Sequence, residues 1–385
     1  MIAQWWQQLR SREVDGILLA GVVGLSLVGV VMVMSASLQI AEMDYNTPFH
    51  FFKRHVVYWL LAVATGLVAY VALPLERFKD LGLVAFFIAM AVLLLLFVPG
   101  LGREVNGSLR WLSLAGFTVQ PSELAKFFFI VYLASYITQR HVELMSSWKV
   151  FLAPLGLLVV LAMLLLKQPD FGALVVIASC TMGMLFLAGT PMRRFVPLAL
   201  LVAGLAYVVA ISQPYRVARL MSFLNPWEDQ FGSGYQLVQS LIAFGRGGWF
   251  GVGLGNSVQK LFYLPEAHTD FVYAVIAEEF GLLGNLLLIA AFVLVVGRMF
   301  LIGQRLAQAN WWFHGLCVYG FAIVFSTQAL INLGVNMGVL PTKGLTLPFV
   351  SYGGSSLLVS ALMVALALRA DADLKLAQAP KGKKA

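Results

Sequence analysis

The stretch His268-Thr269-Asp270-Phe271 stands where a long polar segment meets an apolar run that continues to Val296. A membrane-spanning helix needs about 20 apolar residues, so this run is long enough to cross a bilayer. The carboxyl group of Asp270 is then expected at the boundary between membrane and water, where it is partly desolvated. A general base that acts on a lipid-linked molecule would have to stand at this depth.

The composition of the whole chain indicates an integral membrane protein. Hydrophobic residues make up 60% of the 385 residues and charged residues 11%, whereas roughly a quarter of the residues in soluble domains are charged. The two cysteines, Cys180 and Cys317, fall inside apolar runs, where a small buried thiol is a commoner finding than a disulfide. Residues 1–15 are polar, carry Arg10 and Arg12, and lack a small-residue cleavage pattern. We therefore expect a cytoplasmic N-terminus followed by an uncleaved signal anchor.

Hydropathy over a window of about 19 residues predicts an all-α, polytopic membrane protein with about ten transmembrane helices. The predicted spans are 16–38, 56–73, 80–98, 121–138, 150–166, 171–189, 195–212, 271–297, 311–333 and 346–368. A large loop, residues 213–270, separates helices 7 and 8. Residues 16–370 thus form one transmembrane domain, and residues 371–385 form a basic cytoplasmic tail that we expect to be disordered.

Positive charge in the short connections predicts the orientation. With the N-terminus inside, the basic connections and the lysine-rich tail all face the cytoplasm, as the positive-inside tendency favours. The opposite orientation would place all of them on the translocated side. The residues concerned are Arg77, Lys79, Arg140, Lys149, Arg193, Arg194, Arg298, Arg305, Lys381, Lys383 and Lys384.

On this topology the polar residues collect on the outer side of the membrane. Glu123 and Lys126 stand three residues apart, hence on one face of a helix whose first turn contains Pro121. They are either an internal ion pair or the polar wall of a cavity, and the sequence leaves both interpretations open. The outer polar segments are 102–123, 215–270 and 332–356.

Three other acidic residues also have two interpretations. Asp170, in Gln168-Pro-Asp-Phe-Gly172, is placed either to cap the following helix or to face a wet cavity. Glu278 and Glu279 lie eight and nine residues past Asp270, which is about 12 to 14 Å deeper along a helix. Interhelical hydrogen bonding is the favoured role of this pair, and a polar path through the membrane is the alternative.

Several common kinds of site are not supported by the sequence. His268 and Asp270 alone are too few ligands for a fixed zinc ion. The glycine-rich stretch 245–256 lacks the endings of phosphate-binding loops, and 350–356 lacks a nucleophile elbow. A loosely held divalent ion, Mg²⁺ or Mn²⁺, that is shared with a pyrophosphate stays open, with Asp270, Glu123 and Asp170 as candidate ligands. No organic cofactor is expected.

Five motifs, in order along the chain, carry a family resemblance. Arg110-Trp111, Gln120-Pro-Ser-Glu-Leu-Ala-Lys126, Gln168-Pro-Asp-Phe-Gly172, Pro265-Glu-Ala-His-Thr-Asp270 and the segment from Asn336 to Ser356 resemble the motifs of the SEDS family (shape, elongation, division and sporulation). The resemblance covers about residues 15 to 370. Within the family, Pro341-Thr-Lys-Gly-Leu-Thr-Leu-Pro348 is more similar to the division branch than to the elongation branch.

The resemblance implies a peptidoglycan glycosyltransferase that polymerises lipid II by inverting displacement of undecaprenyl pyrophosphate on the periplasmic side. It implies Asp270 as the general base. Glu123 and Asp170 would order the cavity or a metal ion, and Trp111, His268 and Ser351 would line the substrate site. A lipid II flippase and a non-catalytic scaffold are the alternatives. The cations that would hold pyrophosphate groups are Arg54, Arg110, Lys126 and Lys343.

The resemblance also implies partners and a location. A single-span class B penicillin-binding protein of the FtsI type is the expected transpeptidase, because the loops here lack a Ser-x-x-Lys catalytic set in a plausible context. Other division proteins of the FtsQ, FtsL and FtsB type, lipid II and membrane lipids are further expected partners, and no nucleic acid is expected. The expected location is the bacterial inner membrane at the division septum.

Overall fold

The computed structural model describes residues 13–105, 108–114, 117–200, 204, 223–341 and 344–379. Within them the chain forms eleven α-helices and one small sheet. The helices are α1 Gly16–Tyr45, α2 His50–Ala72, α3 Leu83–Leu94, α4 Pro121–Gln139, α5 His141–Ser146, α6 Trp148–Lys167, α7 Phe171–Leu187, α8 Tyr235–Gly247, α9 Val272–Gln308, α10 Trp312–Asn336 and α11 Gly354–Gln378. The strands are β1 Gly102–Val105, β2 Ser108–Leu114 and β3 Phe117–Val119.

The helices confirm the predicted all-α, multi-pass architecture. Among the described residues, α1, α2, α6, α9 and α10 are each long and apolar enough to cross a membrane. The short helix Leu75–Leu81 and the following Leu83–Phe97, bent by 87° between them, would add a sixth span. The predicted segment 195–212 lies largely outside the described residues, so the count of ten helices stays a prediction.

The last helix differs from the prediction at both ends. It begins at Gly354 and not at residue 346, because residues 347–351 form a turn in which the Ser351 hydroxyl accepts a hydrogen bond from the Leu347 amide. It also continues to Gln378, into the segment expected to be a disordered tail. The ion pair between Asp371 and Lys375, one turn apart on this helix, stabilises that extension.

The small sheet was not predicted, because its residues lie in a polar segment that indicated only a loop between two spans. Its three strands pair antiparallel in the order β1-β2-β3. Arg103 lies opposite Trp111, and Leu112 lies opposite Val119. Arg110 lies in β2 at the point where the pairing register with β1 shifts.

A buried cluster of charges joins α1, α9 and α11 at one end of the molecule. The Asp15 carboxylate caps the Leu18 amide at 3.0 Å and accepts from Arg298 at 2.8 Å. Arg305 reaches both Asp15, at 3.3 Å, and Asp371, at 3.1 Å. Burial is the largest single influence on the pKa of Asp15, and it raises that pKa. The two arginines and the Leu18 amide together outweigh burial and lower the pKa, so this carboxylate stays charged. We call this the Asp15 end.

The short basic connections gather at the Asp15 end, as the predicted topology requires. Ser135, in the last turn of α4, donates to the Lys79 carbonyl at 2.9 Å. His314, at the start of α10, lies 3.3 Å from Glu76. Arg194 donates to the carbonyl of Met145 at 2.9 Å. Which side of the membrane this end faces stays a prediction.

Helix α9 is broken at Gly281, whose backbone has φ 65° and ψ −161°. A glycine-rich loop, residues 247–253, fills the break with main-chain hydrogen bonds. Its Val252 and Gly253 amides donate to the carbonyls of Glu278 and Glu279 at 2.9 and 3.1 Å. In return, the amides of the two residues after Gly281 donate to the carbonyls of residues 248 and 249. The loop therefore provides hydrogen-bond partners for main-chain groups of α9 that have no helical partner at the break.

The glycines of this loop permit the close approach. A Cβ atom at Gly251 would lie 2.1 Å from the Glu279 carbonyl oxygen, and one at Gly247 would lie 2.0 Å from that of Ala277. Gly281 faces the loop in the same way, since a Cβ atom added there would lie 2.4 Å from the Gly251 nitrogen. The backbone that this loop approaches is that of α9.

Replacing Gly251 by alanine is therefore expected to destabilise the protein more than the matched change at Gly255. Both glycines have a positive φ, 81° and 85°, so each variant carries backbone strain of about 1 to 2 kcal/mol. Only Gly251→Ala adds a clash with α9, since nothing lies within 4 Å of a Cβ at Gly255. We expect an extra cost of about 2 kcal/mol, measured by thermal unfolding of purified protein in detergent. Equal melting temperatures for the two variants would contradict the packing described here.

Candidate functional site

Asp270 lies two residues before α9, at the end of the molecule opposite Asp15, and its side chain is half-buried. The carboxyl group faces the backbone of Gly344, where a Cβ atom would lie 2.7 Å from Oδ2. Burial raises the pKa of Asp270 to about 7; the negative charge of Glu266 adds to the increase, and the guanidinium of Arg110 opposes it. A carboxylate with such a pKa is well matched to accepting a proton near neutral pH.

Arg110 connects Asp270 to the turn between α6 and α7. Its Nε donates to the carbonyl of Gln168 at 3.3 Å, and its Nη2 donates to the carbonyl of Pro169. The guanidinium thus stands between this turn and the Asp270 carboxylate, whose pKa it lowers. Trp111, the next residue along β2, pairs with Arg103 of β1.

Asp170 caps α7, the first of the two roles considered for it. Its Oδ1 accepts from the Ala173 amide at 3.1 Å. Its Oδ2 accepts from the Ser122 hydroxyl at 2.8 Å and from Nε2 of Gln120 at 3.3 Å. The main-chain amide of Gln120 donates to the Ser355 hydroxyl at 2.9 Å. Hydrogen bonds therefore join the starts of α4, α7 and α11 beside Arg110.

An aromatic cluster adjoins Asp270 on the other side. The buried His268 ring lies 4.6 Å from that of Phe51 and 5.6 Å from that of Tyr352, centroid to centroid. The Tyr352 amide donates to the His268 carbonyl at 3.0 Å. Burial lowers the pKa of His268, against the charges of nearby acids, so the ring is neutral at neutral pH. Arg54, on α2, lies close enough to affect the pKa of Tyr352.

The remaining predicted site residues have other surroundings. Glu123 and Lys126 form a buried ion pair of 2.7 Å, the first of the two interpretations. The Ser351 hydroxyl is buried and holds the turn before α11. Lys343 lies outside the described residues, although its neighbour Gly344 faces Asp270.

Glu278 and Glu279 hold the loop that precedes Asp270. Glu279 pairs with Lys260 at 2.6 Å and accepts from Ser35 of α1 at 2.8 Å. Glu278 accepts from the hydroxyl of Ser257 at 2.5 Å, among other groups of that loop. The pair therefore joins α9 to α1, which is the interhelical hydrogen bonding that the sequence favoured. It also joins α9 to the loop 257–260.

Metal binding is not supported by the carboxylates around Asp270. Among the described parts of the chain, no three His, Cys, Asp or Glu side chains are placed to hold a metal ion. The oxygens of Asp170 already accept three hydrogen bonds, and Glu123 is paired with Lys126. Glu123 and Asp170 thus do not fit a resident cation.

Two site residues on α10, Asn332 and Asn336, were not singled out in the sequence, although Asn336 begins a quoted motif. Their side-chain amides donate to the Asp270 carbonyl oxygen at 2.8 and 3.0 Å. A signal was present, because two amides four residues apart in an apolar run share one face of a helix. Tyr352 was also missed, although it lies within a quoted motif.

Comparison with known proteins gives the family. Residues 17–376 match the model of the cell cycle protein family that is named for FtsW, RodA and SpoVE. The probable peptidoglycan glycosyltransferase FtsW of Alcanivorax borkumensis is 59% identical over 360 residues, 94% of each chain. The Halomonas elongata protein of the same description is 49% identical over 381 residues, 98% of this chain and 96% of that protein.

Solved structures agree with the sequence comparison. A structure of a peptidoglycan synthase complex, described as coordinating polymerization and crosslinking, matches with a TM-score of 0.76 at 30% identity, over 94% of this chain and 98% of that chain. The rod shape determining protein RodA of Thermus thermophilus matches with a TM-score of 0.66 at 28% identity, over 94% and 97%. Fold and site thus define a multi-pass membrane protein with an acidic centre at one end. The chain belongs to the FtsW, RodA and SpoVE family.

The ion pair between Glu123 and Lys126 gives a prediction about stability. Lys126→Met leaves a buried carboxylate without its partner, which we expect to cost about 3 to 5 kcal/mol. The double variant Glu123→Gln/Lys126→Met should recover most of this loss. Lys79→Met, which breaks the exposed pair with Glu76, is the control and should cost at most about 1 kcal/mol. Thermal unfolding in detergent measures all three, and a Lys126→Met variant as stable as Lys79→Met would contradict the structural role.

Proposed function

We propose that this protein is a peptidoglycan glycosyltransferase that polymerises lipid II, with Asp270 as the general base. The observation that carries the proposal is the Asp270 carboxyl group, half-buried beside Arg110 and with its pKa raised to about 7. Its place two residues before a helix able to span the membrane suits a substrate whose sugar is in water and whose lipid is in the bilayer. Relatives described as probable peptidoglycan glycosyltransferases support the assignment.

The proposed reaction is an inverting displacement. A sugar hydroxyl of one lipid II attacks the anomeric carbon of the growing glycan, and Asp270 takes the proton of that hydroxyl. The new carbon–oxygen bond forms as the bond from the anomeric carbon to the pyrophosphate breaks on the opposite face. The electron pair of the broken bond leaves with the undecaprenyl pyrophosphate. Such a reaction needs one base and stabilisation of the leaving charge.

Cations near Asp270 would supply that stabilisation. Arg110 stands beside the carboxylate, and Arg54 lies near Tyr352 in the adjoining aromatic cluster. Lys343 precedes Gly344 in the sequence, and Gly344 faces Asp270. Lys126 is buried against Glu123, so we assign it to the structure of the site and not to pyrophosphate. No step is assigned to a metal ion, because two of the three candidate ligands do not fit one.

Orientation, location and partners belong to the same proposal. The Asp270 end faces the periplasm, since the basic connections gather at the opposite end. The similarity to FtsW proteins supports a role in septal synthesis with other division proteins. The similarity to a structure of a peptidoglycan synthase complex supports a class B penicillin-binding protein as the crosslinking partner.

The flippase alternative requires polar groups that line a path through the membrane. Glu278 and Glu279 were its deepest candidates, and both are buried and bound to Arg246, Lys260, Ser35 and main-chain amides. Their contacts serve the loop before Asp270, so they do not favour a path. A scaffold without catalysis would not need a proton acceptor at Asp270.

Asp270→Asn is expected to abolish glycan polymerisation while the protein stays folded and in its complex. Asparagine keeps the size of the side chain but cannot accept a proton at neutral pH, and loss of a positioned base costs about 10² to 10⁴ in rate. Gel-resolved glycan products from purified lipid II measure the effect with the same transpeptidase partner. Glu279→Gln, deep in α9, is the comparison variant, because it touches no reacting group in the proposal. An Asp270→Asn protein that polymerises normally would remove the proposed mechanism.

A further inference from the structure

Two buried asparagines one turn apart on α10 hold the main chain of Asp270. Nδ2 of Asn332 donates to the Asp270 carbonyl oxygen at 2.8 Å, and Nδ2 of Asn336 donates to the same oxygen at 3.0 Å. Asn332 is 1% exposed and Asn336 is fully buried. A buried carbonyl with two amide donors is fixed more firmly than one bonded to water, because each donor restricts its direction.

Asn336 also caps α9 from the neighbouring helix. Phe271, the N-cap residue of α9, has no polar side chain to accept the first free amides of the helix. Oδ1 of Asn336 accepts from the Ala274 amide at 3.1 Å, sharing this donor with the Phe271 carbonyl at 3.0 Å, and so adds a side-chain partner at the first turn. The hydroxyl of Ser240, on α8, donates to the Asn336 carbonyl at 2.7 Å and anchors the asparagine in turn.

Asn332 connects Asp270 to the segment that its carboxyl group faces. The same Nδ2 atom that donates to Asp270 also donates to the carbonyl of Leu345, at 2.7 Å. Leu345 follows Gly344, where an added Cβ would lie 2.7 Å from Oδ2 of Asp270. One amide group therefore fixes the Asp270 main chain relative to the segment 344–345 that lies beside its carboxylate.

We propose that Asn332 and Asn336 are positioning residues for the general base Asp270. They do not touch the reacting atoms; they fix where the Asp270 carboxylate stands relative to the attacking hydroxyl. This inference rests on the proposed function. Its physical basis is that a displacement of about 1 Å in a catalytic group can cost a factor of about 10² in rate.

Asn332→Leu is the direct test, because leucine keeps the number and branching of the side-chain heavy atoms and removes both donated hydrogen bonds. Gln328→Leu is the matched control: Gln328 lies one turn earlier on α10, is 1% exposed, and its Nε2 has no partner within the described residues. We expect Asn332→Leu to lower kcat for lipid II polymerisation about 10- to 100-fold, with KM changed by less than about threefold. Gln328→Leu should leave both constants near the wild-type values.

The pH dependence separates positioning from a loss of structure. A freed carboxyl group gains water, so the midpoint of the acidic limb of kcat should move to lower pH in Asn332→Leu. Glu266 and Arg110, the charged groups that act on Asp270, are unchanged in this variant. If Asn332→Leu does not fold, Asn332→Gln retains the amide but displaces it by one methylene group, and the same fall in kcat is expected.

Three outcomes decide between the proposals. Wild-type kcat and an unshifted profile in Asn332→Leu, together with an inactive Asp270→Asn, would overturn the positioning role and leave the proposed function standing. Equal losses in Asn332→Leu and Gln328→Leu, with an unshifted midpoint, would also overturn it. Normal polymerisation by Asp270→Asn would overturn the proposed function and the positioning role with it.

Discussion

The site depends on one constraint, which is that the main-chain groups of α9 without a helical hydrogen bond need partners elsewhere in the protein. A polar backbone group in a membrane needs a partner from the protein, because lipid offers none. Helix α9 has such groups at its first turn and at the break at Gly281. Asn336 accepts from one amide of the first turn, and the glycine-rich loop satisfies the break. These contacts bring the glycine-rich loop and α10 against the first part of α9, next to Asp270.

Buried charges follow the same principle on a larger scale. A charge away from water is tolerated only with a partner, and each buried acid around α9 has at least one. Asp15 pairs with Arg298 at one end, and Glu279 pairs with Lys260 near the other. These pairs fix α9 to α1, to α11 and to the loop before Asp270. Asp270 differs from Asp15, because its pKa is raised and not lowered, which suits a group that exchanges a proton.

Local patterns in the sequence were enough for part of this description. The helix that follows Asp270 and the capping role of Asp170 depend on neighbouring residues; the helix was predicted, and the cap was one of the two roles considered. The break in α9 could not be predicted, because it depends on hydrogen bonds with a loop about 30 residues earlier, whose glycines allow the close approach. The contact of Asn332 with Asp270 joins residues 62 apart, so no local pattern encodes it. Lys126 was a candidate to hold pyrophosphate because it falls on the outer side of the predicted topology. Its spacing from Glu123 allowed an ion pair but could not show that both groups are buried.

The dependence of polymerisation on pH tests the central claim most directly. A base must be deprotonated to act, so a pKa of about 7 at Asp270 predicts a rate that rises with pH and is half-maximal near pH 7. Glu266→Gln removes a charge that raises this pKa and should move the midpoint to lower pH. Single-turnover rates with saturating lipid II, from about pH 5 to 9, measure both. A flat profile, or a midpoint near 4 as for an ordinary aspartate, would contradict the account.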